Sequence, residues 1–297
     1  MLLLVCACGN HDAKPLPVPT PTVAMAQPAP AAPVAPTAPV AGSDAAAAGS
    51  AAASYPDLGT ALTAIIPSDA RVIGVGELHS RTDRAQVTSS LAHFTNEALP
   101  VLKDKLSDLV VETWITDPHC GSAAQEATTK VTTTMRRPAE TKSEIAKLGD
   151  AARADGIQPH AMHLTCDDFS RIAPPGKDVQ VEAMLDLTTR ELGRIAAEAV
   201  THRDAEPNHR PWIAVYGGAL HNDRFPDKGV EDWSYAKKID DLTKGHFVEI
   251  DLIVPELADD DPQSQKQPWF DLVKHAARTV QVYTRGERSF VVILARS

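Results

Sequence analysis

The 297-residue chain is 43% hydrophobic and 23% charged, with a formal net charge of -10. That apolar content supports a packed core and excludes a wholly disordered chain. Basic residues occur in short clusters such as Arg136-Arg137 and Lys237-Lys238, so a nucleic-acid-binding face is not expected.

The chain opens on "MLLLVCACGN". Val5, Cys6, Ala7 and Cys8 resemble a bacterial lipobox: apolar, tolerated, small, then the lipidated cysteine. The apolar run is short and lacks a basic flank, as in a signal peptide whose start codon lies upstream. Residues 1–8 are therefore expected to be a truncated lipoprotein signal, with Cys8 lipidated. Residues 9–54 are dominated by Pro and Ala, a composition that favours an extended, disordered linker. Gly9, rather than Asp, follows the cysteine, which by resemblance to lipoprotein sorting implies the outer membrane. The expected location is the bacterial cell envelope, lipid-anchored at the outer membrane or periplasm, with the membrane reached only through that anchor. Residues 55–297 form the expected single domain.

"RVIGVG" (71–76) reads as a buried parallel strand, being a short and nearly continuous apolar run. Val87, Leu91, Phe94, Ala98 and Leu102 then recur at helical spacing over 81–106, and Pro100 is expected to bend or divide that helix. "DLVVETW" (108–114) is a second strand. Residues 115–138 match no pattern and are expected to cap the site. A helix follows over 139–156, ending at Gly156. A third strand spans 157–165, where Pro159 points to a sheet edge. A long amphipathic helix (179–204), a strand (212–217), a shorter helix (232–245), a strand (246–254) and a hairpin around Arg285-Gly286-Glu287 complete the chain. The alternation predicts an α/β fold: three α/β/α layers, a mainly parallel central sheet and a C-terminal β-hairpin.

In such a sheet, ligands bind beyond the carboxyl ends of the strands. The first strand delivers Glu77 and His79 there, the second Glu112, and the fourth His221 with Asn222 and Asp223. Gly76, Gly217 and Gly218 are expected to let the chain turn before each polar group. Glu112 ends an apolar strand. A buried carboxylate needs a partner, which would be a metal, a donor or an arginine such as Arg81 or Arg84. His160 and His163 lie on opposite faces of their strand, so at most one joins the site. Cys120 and Cys166 would be able to pair in an oxidising compartment; spacing leaves that pairing open.

G-x-S-x-G, P-loop, H-E-x-x-H and C-x-x-C signatures are absent. What remains is carboxylate and imidazole chemistry. His79, Glu112 and His221 make a candidate ligand set for a divalent metal, Zn, Mn, Co or Fe, with open positions. Glu77 would then take a proton from bound water. Without metal, His79 and Glu77 would act on water as a pair.

"GELH" (76–79) and "GALH" (218–221), with "VVETW" between them, resemble the superfamily that joins Tiki and TraB-type proteins, ChaN haem-binding lipoproteins and erythromycin-esterase-like hydrolases. The resemblance covers roughly residues 71–254, on short motifs. In Tiki and TraB relatives two G-x-x-H motifs and a strand-terminal Glu form the metal site, which here maps onto His79, His221 and Glu112. Glu77 matches the G-E-x-H start of ChaN-like and esterase-like members. The resemblance implies an α/β/α fold and one of three activities: metal-dependent peptidase, metal-free His/Glu hydrolase, or haem or iron carrier. The expected function is a membrane-tethered, metal-dependent hydrolase of peptidase or esterase type. The alternative is a haem- or iron-binding lipoprotein without turnover. The partner is accordingly a small-molecule, peptide or haem ligand.

Overall fold

The computed structural model describes residues 52–206 and 208–297, except for the side chains of Thr116 and Pro118. The lipobox and Cys8 lie outside these residues, as does the linker up to residue 51. Its last residues do not: β1 (Ala52–Tyr55) pairs antiparallel with a later strand, so ordered structure starts three residues before the expected boundary.

In chain order the elements are β1, α1 (Leu58–Ile65), β2 (Val72–Glu77), α2 (Ser90–His93), α3 (Leu99–Leu102), β3 (Leu106–Thr116), α4 (Gly121–Thr134) and α5 (Thr141–Ala154). Then follow β4 (Gln158–Leu164), α6 (Cys166–Ile172), α7 (Val181–Asp204), β5 (Trp212–Gly218), α8 (Ala219–Asn222) and α9 (Ala236–Leu242). The chain closes with β6 (Phe247–Ile253), α10 (Pro255–Ala258), α11 (Phe270–His275), β7 (Val280–Gly286) and β8 (Ser289–Ile293). The eight strands form one sheet in the order β1-β7-β8-β6-β2-β5-β3-β4. From β8 to β4 every neighbouring pair is parallel, and β7 and β8 are the antiparallel C-terminal hairpin.

Strand parity sorts the apolar side chains into two layers, since alternate residues face opposite sides. Ile73, Val75, Ala214, Tyr216, Val248 and Ile250 pack beneath α1, α2, α3 and α5. Val72, Val110, Ile213, Val215 and Phe247 pack beneath α4, α6, α7 and α9. The central strands β2, β5 and β6 are buried on both faces, which is why β2 and β5 read as nearly continuous apolar runs.

Two boundaries differ from expectation for local reasons. The helix after β2 starts at Ser90, where the Ser89 hydroxyl accepts from the Ala92 amide at 2.9 Å and so caps it. Pro100 does interrupt it, but upstream: residues Phe94–Ala98 form a π-helical turn between α2 and α3. Proline donates no hydrogen bond and crowds the carbonyl four residues earlier, and a widened turn accommodates both effects. Pro159 does sit on an edge strand, β4. No described helix is long and apolar enough to cross a membrane.

Candidate active site

The connection after β2 leaves toward α2 and α3 on one face, and that after β5 toward α8 and α9 on the other. β2 and β5 are neighbours, so a crevice opens at their carboxyl ends, the place where open α/β sheets bind ligands. Glu77 is the last residue of β2 and His79 follows it. Glu112 sits at an irregularity of β3, where the register with β4 shifts between Val111 and Trp114. Such a bulge re-aims a side chain at the strand's end.

His79 Nδ1 lies 2.6 Å from Glu77 Oε1, and Arg137 Nη2 lies 2.8 Å from His79 Nε2. A guanidinium can only donate, so Nε2 carries the lone pair and Nδ1–H donates to Glu77. The other oxygen of Glu77 accepts the Tyr216 hydroxyl at 2.5 Å. Arg137 also donates to Glu77 Oε1 at 3.3 Å and to Glu112 Oε1 at 3.5 Å. Glu112 Oε2 accepts the Gly218 amide at 2.6 Å, and Glu112 Oε1 lies 3.8 Å from His79 Nε2. The partner of Glu112 is thus Arg137 and a backbone amide rather than Arg81 or Arg84, which pair with Asp83 and Asp260.

Burial pushes the Glu77 carboxyl up, but the His79 bond, the nearby charges and the Tyr216 hydroxyl outweigh it and hold the group below the usual carboxylate range. Glu112 follows the same balance. Burial raises it, while His79, His221, Arg137 and the Gly218 amide bring it down to about 2. Tyr216 is driven well above the ordinary phenol range by burial and by the charge of Glu77, so it remains a donor. His221 is pushed down by burial, against the pull of Glu112, and stays neutral.

The structure brings Glu77, His79 and Glu112 into direct contact; His221 lies near enough to interact electrostatically with Glu112 and His79, but its hydrogen bonds go elsewhere. Its Nδ1 lies 2.7 Å from Thr189 Oγ1 and 3.2 Å from the Trp233 carbonyl, and the Thr189 hydroxyl donates to that same carbonyl. Nδ1–H is therefore the donor to Thr189, and Nε2 is the unprotonated nitrogen. His160 belongs to neither histidine group: it meets Asp108 at 2.8 Å, near the amino end of β3, beside Arg203. His163 is exposed.

The glycines do a different job from the one expected. None of Gly76, Gly217 and Gly218 has positive φ. A Cβ on Gly218 would lie 2.8 Å from His79 Nε2, and one on Gly217 would lie 2.8 Å from Glu112 Oε2. The side chains press against bare backbone, and only glycine leaves room.

The residues do not fit a divalent metal. His79 Nδ1 and Glu77 Oε1 are spent on each other, and the cation between Glu77, Glu112 and His79 is Arg137. Among the described residues, the group whose ligand atoms all lie within 4.8 Å is Asp117, Cys120 and Cys166, which includes none of the expected ligands. Those two cysteines form a disulfide, with Cα atoms 5.2 Å apart, inside the range a bridge requires. The expected set of His79, Glu112 and His221 thus does not close on a common point.

Arg137 is the site residue that sequence reasoning missed. It lies in the segment expected only as a cap. At the end of α4 the Arg137 amide donates to Thr132 O at 3.1 Å and the Arg136 amide to Thr133 O at 3.1 Å, a Schellman reversal with Arg136 left-handed at φ 50°. That reversal turns Arg137 toward β2 and β3. Pro138 follows and disfavours a helical conformation at Arg137. The cavity enclosed by Glu77, His79, Glu112, Arg137 and Tyr216 has a volume of about 10 Å³, room for roughly one water. A larger hollow of about 410 Å³ lies outside, between α7 and α9, and two of its lining residues, Thr189 and Tyr235, hydrogen-bond His221.

No protein-family model matches the chain, and no curated protein matches it by sequence. Among solved structures it is similar to the type III effector HopBA1, at 15% identity and a TM-score of 0.40, over 80% of this chain and 93% of that one. It is also similar to RRSP, a MARTX toxin effector domain from Vibrio vulnificus CMCP6, at 13% identity and a TM-score of 0.30. That match covers 62% of this chain and 34% of the other, so the chain spans about a third of RRSP. Likenesses this distant carry nothing about function across.

Proposed function

We propose that the chain is a hydrolase of ester or peptide bonds in which His79 activates water without a metal. The observation that carries this reading is the Glu77–His79 pair: a buried, ionised carboxylate grips Nδ1–H and leaves the Nε2 lone pair facing the cavity. This shifts the base from Glu77, the sequence expectation, to His79. Both Glu77 oxygens are engaged, and its lowered proton affinity makes it a poor acceptor. Of the three activities implied by the family resemblance, the metal-free His/Glu hydrolase suits this geometry best.

In the proposed reaction, His79 Nε2 takes a proton from water as the oxygen adds to the acyl carbon. Glu77 stabilises the imidazolium, and Tyr216 fixes Glu77. Arg137, released from Nε2, stabilises the carbonyl oxygen as it gains charge. Glu112 stays ionised and holds Arg137 within reach. The imidazolium then returns its proton to the departing alcohol or amine, so that one water is consumed for one bond cleaved.

A panel of ester and peptide substrates, assayed with and without chelator, tests this. The expected result is turnover insensitive to chelator and lowered about 10³-fold or more by His79→Gln. Loss of turnover on chelation, or a Soret band on haem titration, would favour the metal-dependent or haem-carrier reading instead. We propose further that Cys8 carries the lipid and residues 9–54 act as the tether, supported by the lipobox-like residues and the Pro/Ala-rich spacer. Radiolabelled palmitate should enter the wild-type chain and not Cys8→Ser; equal labelling of both would refute the anchor.

A further inference from the structure

We propose that α4 and the turn after it form a lid bolted shut by Arg137, and that the Cys120–Cys166 disulfide governs whether it opens. This rests on the hydrolase reading for its purpose, but not for its test. Arg137 Nη2 lies 2.8 Å from the one nitrogen of His79 able to take a proton. With about 10 Å³ in the cavity, no acyl substrate fits while that contact stands. Arg137 must withdraw before the site can work.

The segment is built to swing. Left-handed residues mark both ends of α4: Gly121, its first residue, at φ 57°, and Arg136, two beyond its last, at φ 50°. Arg136 bears a side chain, so this conformation is strained relative to glycine. The inner face of α4 is narrow, consisting of Ala124, Ala127 and Val131. Beyond the Arg137 contacts, its far end is held by the Thr82 amide donating to Arg136 O at 2.9 Å. Its near end is held covalently. Cys120 immediately precedes α4, and Cys166 begins α6, the helix against which α4 packs.

The disulfide closes a loop across 46 positions, and that loop contains α4, Arg136 and Arg137. A cross-link removes conformations from every open state of the enclosed segment. Cutting it favours the open lid. Cys166 is the more exposed of the two cysteines, so attack is assigned to its sulfur. A dithiol supplies the two electrons and two protons. Its thiolate attacks Cys166 Sγ, Cys120 leaves as thiolate and is protonated, and the second thiol resolves the mixed disulfide. The products are two cysteine thiols and one oxidised dithiol.

Diethyl pyrocarbonate modifies unprotonated imidazole nitrogens and reads the state of His79 without a substrate. In the full chain, modification of His79 is followed by peptide mass spectrometry and normalised to His202, whose side chain is 68% exposed on α7. The oxidised wild type should show a slow His79. Arg137→Ala should raise the normalised rate about tenfold, and the Cys120→Ser/Cys166→Ser double variant should rise toward that value. An unchanged rate in Arg137→Ala overturns the bolt; an unchanged rate in the double variant alone overturns the redox control. If the double variant does not fold, amide exchange across 132–141 in the wild type replaces it: faster exchange with dithiothreitol is expected, and equal exchange refutes the proposal. Because no turnover is read, a failed hydrolase assay leaves this result standing, and the reverse also holds.

Discussion

At the residue scale, the account depends on which atoms are already engaged. His79 differs from Glu77 in having one nitrogen whose only hydrogen-bond partner among the described residues is the displaceable Arg137, and Gly218 differs from any other residue in leaving space beside that nitrogen. Gly218→Ala puts a Cβ 2.8 Å from His79 Nε2, so the imidazole must shift. Turnover should fall about 10²-fold, the usual cost of a displacement near 1 Å at a reacting group, while the melting temperature stays close to wild type. Tyr216→Phe removes one of three donors to Glu77, and a loss of about tenfold in kcat is expected, with KM little changed. The histidines were legible because each follows an apolar run too short to be anything but a strand, with glycine at the exit. Tyr216 was legible in principle: a hydroxyl inside a fully buried strand requires a partner. Arg137 was not, because nothing local marks a side chain that reaches its partners through a helix reversal far from them in sequence.

At the element scale, β6 carries a second cluster beside the first. Glu249 and Asp251 are buried next to Asp223, with Arg285 from β7 as the shared cation, 3.0 Å from Glu249 and 2.8 Å from Asp223. Three carboxylates face one guanidinium, so the cluster holds protons. Burial and the neighbouring acids push Glu249 up to about 8, and burial with Asp223 pushes Asp251 up to about 7, despite Arg285. Raised folded-state values stabilise the protein fully below the unfolded values, and that stability is lost as pH rises through the folded ones. The melting temperature should therefore fall between pH 6 and pH 9, by at least about 3 °C. Glu249→Gln should flatten that fall; a slope unchanged in the variant would remove the cluster as its cause. The same β6 run, "HFVEIDLIV", was legible as a strand, but its acids were not legible as a cluster. Their partners Asp223 and Arg285 come from a loop and a hairpin that only the sheet order brings alongside.

At the scale of the whole molecule, alternating apolar runs and helical periods were enough to predict the layers, the parallel sheet and the hairpin. The position of β5 between β2 and β3 was not in the pattern, and it is that insertion which sets His79, Glu112 and Gly218 side by side. The disulfide ties the end of β3 to the end of β4 across an edge of this sheet. Removing it with Cys120→Ser/Cys166→Ser should cost about 2–4 kcal/mol, seen as a lower denaturation midpoint with a steeper slope, because the freed unfolded chain exposes more surface. An unchanged midpoint would show that the cross-link constrains little in the unfolded chain.

The central claim is that Glu77 holds the proton of His79 on Nδ1 and leaves Nε2 free to accept one. Nitrogen-15 NMR of the histidine-labelled protein reads that directly. His79 should be found in the Nδ1–H form, with Glu77→Gln weakening that preference. A His79 protonated on Nε2, or a tautomer indifferent to Glu77, would contradict it.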